Sequence, residues 1–383
     1  MKKLILITLL IHGSLHAQTK KGTYTISVTP LVGYETNLLK SPSYYEKKDG
    51  TAFYKEDLWV NTFFTGGKFR FKTTSKRKQH TFDFKSNFKS SMFSSDKNIK
   101  SSVLLIGSNY IYKSKKKWHT NFGVNYKSML KTGGLDNDDL IGSPLTYKNY
   151  RVSNKFSYNL SKEWLIFTKA FIGLKNYYRK DYKQFKYLEK GISTGFEFKA
   201  TKDPKIKLTL FGEVKQRLYT IQKMKNTENN PNDLNRQWRY FTFGEKFDFP
   251  IKKYSKITIK GGYLKMQDVS HDKYGYNQFH GGLAYSLTKN KVKLTVSTDL
   301  IQKSYTKLKI KDNMGVSQNL IYNYTRLKIG IAYKLKPNLT VSIEGKERFR
   351  LSNVDQLNSK TTRNYFTNQI IVGLKWDLKR KYK

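Results

Sequence analysis

The stretch Phe366-Thr367-Asn368-Gln369-Ile370-Ile371-Val372-Gly373-Leu374-Lys375-Trp376-Asp377-Leu378 falls into two rows when every second residue is taken. Phe366, Asn368, Ile370, Val372, Leu374, Trp376 and Leu378 form a mostly apolar row, and Thr367, Gln369, Ile371, Gly373, Lys375 and Asp377 a mostly polar one. Successive side chains of an extended strand point to opposite faces, so this is a strand with one face suited to an apolar medium and one to water. The same split recurs upstream. Ile206, Leu208, Leu210, Gly212 and Val214 alternate with Lys205, Lys207, Thr209, Phe211, Glu213 and Lys215, and Val292, Leu294, Val296, Thr298 and Leu300 alternate with Lys291, Lys293, Thr295, Ser297 and Asp299. In 56–73 and 100–113 apolar residues occupy both parities, and the outward face there stays open.

Applied along the chain, the rule gives sixteen segments: 23–38, 56–73, 79–94, 100–113, 117–130, 146–160, 163–178, 185–200, 205–221, 237–249, 255–269, 275–287, 291–306, 317–335, 338–352 and 363–378. Their connections alternate in length. Short polar ones run through Ser75-Lys76-Arg77-Lys78, Ser114-Lys115-Lys116, Ser161-Lys162, Thr201-Lys202-Asp203-Pro204, Pro250-Ile251-Lys252-Lys253, Thr288-Lys289-Asn290 and Lys336-Pro337. Longer ones fill 39–55, 95–99, 131–145, 179–184, 222–236, 270–274, 307–316 and 353–362. Seven short turns on one side and eight longer loops on the other are what sixteen antiparallel strands require when both termini lie on the turn side. The expected fold is therefore all-β: a transmembrane, antiparallel, up-and-down β-barrel. Closure follows from the medium, because an unpaired edge N–H or C=O in lipid costs several kcal/mol.

Composition agrees. Twenty-eight Tyr, 24 Phe and 5 Trp favour strands, and only 7 Pro interrupt the 383 residues. Lys2 and Lys3, the apolar run Leu4 to Ile11 and the small-residue exit Ser14 to Ala17 read as an export signal over 1–17, with Gln18 opening the mature chain. The apolar run is too short for a membrane-spanning helix. The chain has no cysteine, which excludes thiolate metal sites and disulfides and suits an oxidising compartment. A formal net charge of +45 would suggest nucleic acid in a cytosolic protein, but an exported one does not meet it. The charge is read instead as serving solvated turns, anionic head groups or an anion-favouring interior.

In this setting the chain resembles the porin-like outer-membrane β-barrels of Gram-negative bacteria, particularly the Tyr- and Lys-rich ones of the Bacteroidota. The residues that carry the resemblance are His16-Ala17-Gln18, Gly33-Tyr34-Glu35-Thr36-Asn37-Leu38-Leu39, Arg348-Phe349-Arg350-Leu351-Ser352-Asn353 and the closing Val372 to Leu378. The chain departs from the common ending on an aromatic residue, since Lys379-Arg380-Lys381-Tyr382-Lys383 follows. The expected organisation is a signal peptide (1–17), a barrel (18–378) and a basic tail (379–383). The resemblance implies insertion in the outer membrane, contact with its lipid and lipopolysaccharide, delivery by the barrel assembly machinery, and passage of small solutes. A barrel that docks a partner for export or surface display of a polysaccharide or protein is the alternative, and an outer-membrane hydrolase the third reading.

Residues alternating with the apolar rows should line the interior: Lys155, Lys169, Lys215, Arg217, Lys260, Lys293, Arg326, Lys328, Lys346, Arg348 and Arg350, with Glu213, Asp299 and Glu344 opposing them. Arg326, Arg348 and Arg350 read either as a basic ladder favouring small anionic solutes or as part of a salt-bridge lattice with Glu344. Tyr24, Tyr34, Trp118, Trp164, Tyr263 and Trp376, near segment ends, suit the two interfacial aromatic belts, as do Tyr126, Tyr178 and Tyr333. Asp136, Asp138 and Asp139 lack the spacing of a calcium loop. His271 beside Asp272 and the single His80, His119 and His280 assemble into no catalytic grouping, and no phosphate loop, zinc motif or dinucleotide fingerprint is visible. The expectation is no enzyme, no metal and no cofactor.

Overall fold

The computed structural model describes residues 22–38, 44–46, 52–54, 56, 59–94, 99–114, 117–132, 146–178, 186–200, 205–223, 235–252, 254–270, 274–311, 316–353 and 364–382. In chain order the strands are β1 (Gly22–Glu35), β2 (Tyr44–Glu46), β3 (Ala52–Tyr54), β4 (Thr62–Arg77), β5 (His80–Phe93), β6 (Lys100–Lys113), β7 (Trp118–Thr132), β8 (Thr146–Asn159) and β9 (Trp164–Tyr178). They continue with β10 (Lys186–Lys199), β11 (Lys207–Lys223), β12 (Asn235–Lys252), β13 (Ser255–Asp268), β14 (Tyr276–Lys289), β15 (Val292–Lys311), β16 (Ser317–Lys336), β17 (Leu339–Ser352) and β18 (Tyr365–Tyr382).

Sixteen of them, all but β2 and β3, pair each with its neighbours in sequence, and β1 closes the circle by pairing with both β4 and β18. Every ladder is antiparallel. The result is the closed up-and-down barrel that the alternation and the turn pattern predict. At three turns whose residues are all described, two residues suffice to reverse the chain: Lys78-Gln79 between Arg77 and His80, Asn290-Lys291 between Lys289 and Val292, and Pro337-Asn338 between Lys336 and Leu339. Lys78 (φ 47°) and Asn290 (φ 53°) take the left-handed conformation such tight reversals demand.

Several boundaries differ from the sequence reading. β15 runs on to Lys311, through residues expected in the loop 307–316, and β12 to Lys252, through the expected turn Pro250 to Lys253. β4 begins at Thr62, not near 56. The stretch 39–55, expected as a loop, holds the short ladder Tyr44↔Tyr54, Tyr45↔Phe53 and Glu46↔Ala52. The supposed basic tail is strand: Lys379, Arg380, Lys381 and Tyr382 stand opposite Thr25, Tyr24, Thr23 and Gly22. A ladder is held by backbone groups, so a run of charged side chains at a solvated rim ends the alternation without ending the strand. The expected signal segment and Gln18 lie outside the described residues.

Which parity faces inward is decided by curvature. One cavity of about 290 Å³ touches Thr29 and Leu31 of β1, Lys68 of β4, and residues of β15, β16, β17 and β18 together. A cavity shared by so many successive strands lies on the concave side. The other parity carries exposed apolar residues on every barrel strand, among them Val32, Phe69, Phe88, Tyr110, Phe122, Val152, Ile172, Ile192, Val214, Phe243, Ile259, Phe279, Leu300, Ile329, Ile343 and Ile370. The outer row is broken at Glu245, exposed between Phe243 and Phe247 and lying over Gly261 of the next strand.

The two strands of unassigned face are thereby settled. On β4, Phe63, Phe69 and Phe71 share the outer face with Tyr34, Val28 and Ile26, while Phe64 turns inward and is 1% exposed against Leu31, Ile371 and Phe93. On β6, Leu104, Ile106 and Tyr110 go outward beside Phe88, Ser86 and Phe82, and Val103, Leu105 and Ile111 inward.

Candidate functional site: the barrel interior

All eleven basic residues singled out from the sequence lie on the inner parity, as do Glu213, Asp299 and Glu344. Lys155 and Lys169 are directly opposite one another on β8 and β9. Lys215 and Arg217 follow each other on the inner row of β11, and Lys260 stands opposite Gly282. On the far wall Lys293 faces Ala332, Arg326 faces Arg348, Lys328 faces Lys346, and Arg350 faces Tyr324.

Four inner carboxylates, Glu344, Glu197, Asp248 and Glu189, are each held between two cations. Glu344 binds Lys328 (2.5 Å) and Lys346 (2.7 Å). Glu197 binds Lys199 (2.6 Å) and Lys207 (2.7 Å), and Asp248 binds Lys246 (2.7 Å) and Lys256 (3.4 Å). Glu189 accepts a hydrogen bond from Arg217 Nε at 2.8 Å, with Lys215 at 3.8 Å. Same-face neighbours across adjacent strands lie about 5 Å apart, so one carboxylate reaches two long cationic side chains. The expected lattice through Glu344 thus joins it to two lysines, not to Arg326, Arg348 or Arg350. Arg350 instead lies over the rings of Tyr322 (5.2 Å) and Tyr365 (4.8 Å).

Near the loop-side ends of the strands the inner wall carries an aromatic belt the sequence reading did not find. Ring follows ring through Tyr147–Tyr177 (5.5 Å), Tyr177–Tyr187 (6.4 Å), Tyr187–Tyr219 (5.2 Å) and Tyr219–Trp238 (5.1 Å), then through Tyr276–Tyr305 (5.7 Å) and Tyr305–Tyr322 (6.1 Å). Cations cover many of these rings: Lys175 over Tyr147 (4.0 Å), Arg217 over Tyr187 and Tyr240 (4.9 Å each), Arg236 over Trp238 (4.5 Å) and Lys303 over Tyr276 (3.8 Å). A desolvated cation–ring contact is worth about 1–2 kcal/mol, and the long aliphatic stems add packing. The belt packs ring on ring and cation on ring along the loop-side end of the inner wall. Its legible signal was a tyrosine on the inner parity near the loop-side ends of successive strands.

The aromatic candidates for the belts lie on the outer parity. On the turn side, Trp118 contacts Tyr112 (5.3 Å) and stacks on Phe156 (5.8 Å), and Trp164 contacts Phe198 (5.0 Å). Toward the loops, Tyr34 meets Phe63 (4.9 Å), Tyr126 meets Tyr150 (5.0 Å) and Tyr263 meets Phe279 (5.0 Å). Tyr24 lies opposite Arg380, and Trp376, 42% exposed, opposite Val28. Because β18 runs on to Tyr382, Trp376 sits inside the strand instead of at its end.

His80 Nδ1 lies 2.7 Å from the Tyr110 hydroxyl near a turn, while His119 and His280 face inward on separate strands. Asp136, Asp138, Asp139, His271 and Asp272 lie outside the described residues, and no group of three or more potential metal ligands occurs among those described.

No protein-family model matches the sequence, and no curated protein matches it. Solved structures align with it at low identity. The outer membrane channel DcaP of Acinetobacter baumannii aligns at TM-score 0.48 and 8% identity over 94% of this chain and 97% of that one. OpdO of Pseudomonas aeruginosa aligns at 0.47 and 8% over 95% and 99%, and OmpT of Vibrio cholerae, described as outer-membrane expressed, at 0.43 and 13% over 93% and 98%. At this level the similarity carries no information about a solute, which has to come from the residues.

Proposed function

We propose that this chain is a porin-like outer-membrane channel for passive diffusion of small solutes, with a basic lumen that favours anions. The observation that carries the reading is the division of the wall. One parity is apolar and exposed right round the circumference, and on the other, more polar parity the charged residues are mostly cations. Water on the outside gives no reason for such a surface, because soluble monomers rarely expose large contiguous apolar areas. Hydrocarbon on the outside and water within explain both faces. The paired rings at two levels of the outer face then serve as the interfacial belts, with lipid and lipopolysaccharide as the surrounding partners. A sixteen-stranded circle is wide enough to hold water. The Tyr- and Lys-rich composition accords with barrels of the Bacteroidota type. The reading contains no catalytic step.

Reconstitution into planar bilayers tests it. Discrete conductance steps in KCl are expected, with a reversal potential under a salt gradient that reports anion preference. A protein that stays soluble without detergent, or that supports neither conductance nor liposome swelling by sugars, would overturn the reading.

A further inference from the structure

Across the far wall the inner rows align into a groove. One row reads Lys293, Ala332, Ser342, Gly373, Leu31 along successive cross-strand pairs, and the next reads Thr295, Gly330, Glu344, Ile371. Small residues at Gly330, Ala332, Ser342 and Gly373 leave the wall thin where other inner positions carry long side chains. A Cβ on Gly373 would come within 2.9 Å of Leu31, and one on Gly330 within 2.9 Å of the Thr295 hydroxyl. The opening of about 290 Å³ that results is rimmed by Lys68, Lys293 and Lys328.

The rim is unequally compensated. Lys328 shares Glu344 with Lys346; Lys68 and Lys293 make no direct ion pair among the described residues, although Glu344 also lines the groove and faces Lys68. The hydroxyls are anchored as donors: Thr295 Oγ1 donates to Gly330 O (3.3 Å) and Ser342 Oγ to Gly373 O (3.4 Å). Their lone pairs are left to accept. Leu31 and Ile371, both 4% exposed, form an apolar floor.

Resting on the channel reading above, we propose that this groove is a binding subsite for a small solute with a phosphate or carboxylate group on a polyhydroxyl body, such as a phosphorylated or acidic monosaccharide. Ammonium groups take the oxyanion, fixed hydroxyl oxygens accept from the solute's own hydroxyls, and the floor meets the C–H face of a ring. The volume lies at the small end of ligand pockets, which excludes an oligosaccharide lying wholly within it.

The test uses the full chain refolded in detergent and titrated calorimetrically with glucose 6-phosphate, glucuronate, inorganic phosphate and glucose. Glucose 6-phosphate or glucuronate should bind at least tenfold more tightly than either glucose or inorganic phosphate. Lys68→Gln with Lys293→Gln should weaken that binding about tenfold or more. Lys127→Gln with Lys169→Gln, which removes equal charge from another part of the wall, should weaken it less than about twofold. Thr295→Val with Ser342→Ala, which changes no charge, should bring the sugar acids down towards inorganic phosphate. Equal loss in the two lysine pairs, or equal affinity for inorganic phosphate and the sugar acids, overturns the subsite. Binding in detergent is read without any ion flow. Absent conductance therefore counts against the channel, and absent binding against the groove.

Discussion

Replacing Ile329 with arginine tests the assignment of faces directly. Ile329 is 54% exposed on the outer row of β16, between Val296 and Gly345 on the flanking strands. Counted from Lys336 at a tilt of about 40°, it stands on the order of 18 Å above the turns, in the middle part of a band about 25 Å tall. An arginine on the lipid face at that depth costs about 2–4 kcal/mol, or roughly 30- to 1,000-fold in the folding equilibrium. Ser297, on the inner row of β15 opposite Lys328 and Ala284, supplies the comparison. Arginine there meets water and costs about 1 kcal/mol or less, mostly through repulsion from Lys328. Guanidinium titration of both variants folded into lipid vesicles reads the difference. At a slope of about 5 kcal/mol per molar, the Ile329→Arg midpoint should fall by about 0.4–0.8 M. The reasoning fails if Ser297→Arg lowers the midpoint as much as Ile329→Arg does.

Glu245→Leu restores the interrupted outer row and should raise the unfolding midpoint in the same assay, by about 1–2 kcal/mol of added stability. Glu344→Gln releases Lys328 and Lys346 from their shared carboxylate, so the reversal potential should move further towards anions; a move towards cations contradicts a cationic lumen. Deleting 379–383 strips the paired residues Lys379 to Tyr382 from the seam with β1, and the folded, heat-sensitive form seen on unboiled gels should melt at a lower temperature. An unchanged melt would return those residues to the status of a tail.

The architecture was legible because a barrel wall imposes period two on the chain for its whole length, and β15 and β18 show it cleanly. Alternation was obscured on β4 and β6 for a physical reason. The inner face of this part of the wall is apolar too, with Phe64 packed on Leu31 and Ile371, and with Val103, Leu105 and Ile111 on the inner row of β6. The inner lysines and arginines could be read one strand at a time, since parity alone places them. The groove could not. It exists only through the register that sets Ala332 beside Ser342 and Ser342 beside Gly373, and no single strand contains that information. The tyrosine belt left a partial trace, a tyrosine on the inner parity near successive strand ends, but its ring-to-ring contacts depend on register.

β15 and β16 are twenty residues long each, against fourteen for β5, β6 and β17. At a tilt of about 40° that difference is on the order of 15 Å of extra height. The ladder therefore ends in a slanted lip, high at this hairpin and low at β5 and β6, where Phe93 N already bonds Ile99 O across a short connection. A bulky visitor descending on the cell, an antibody or a fibre, would strike the parapet first. Small molecules drifting sideways over the surface would meet the ladder at its lowest along β5 and β6.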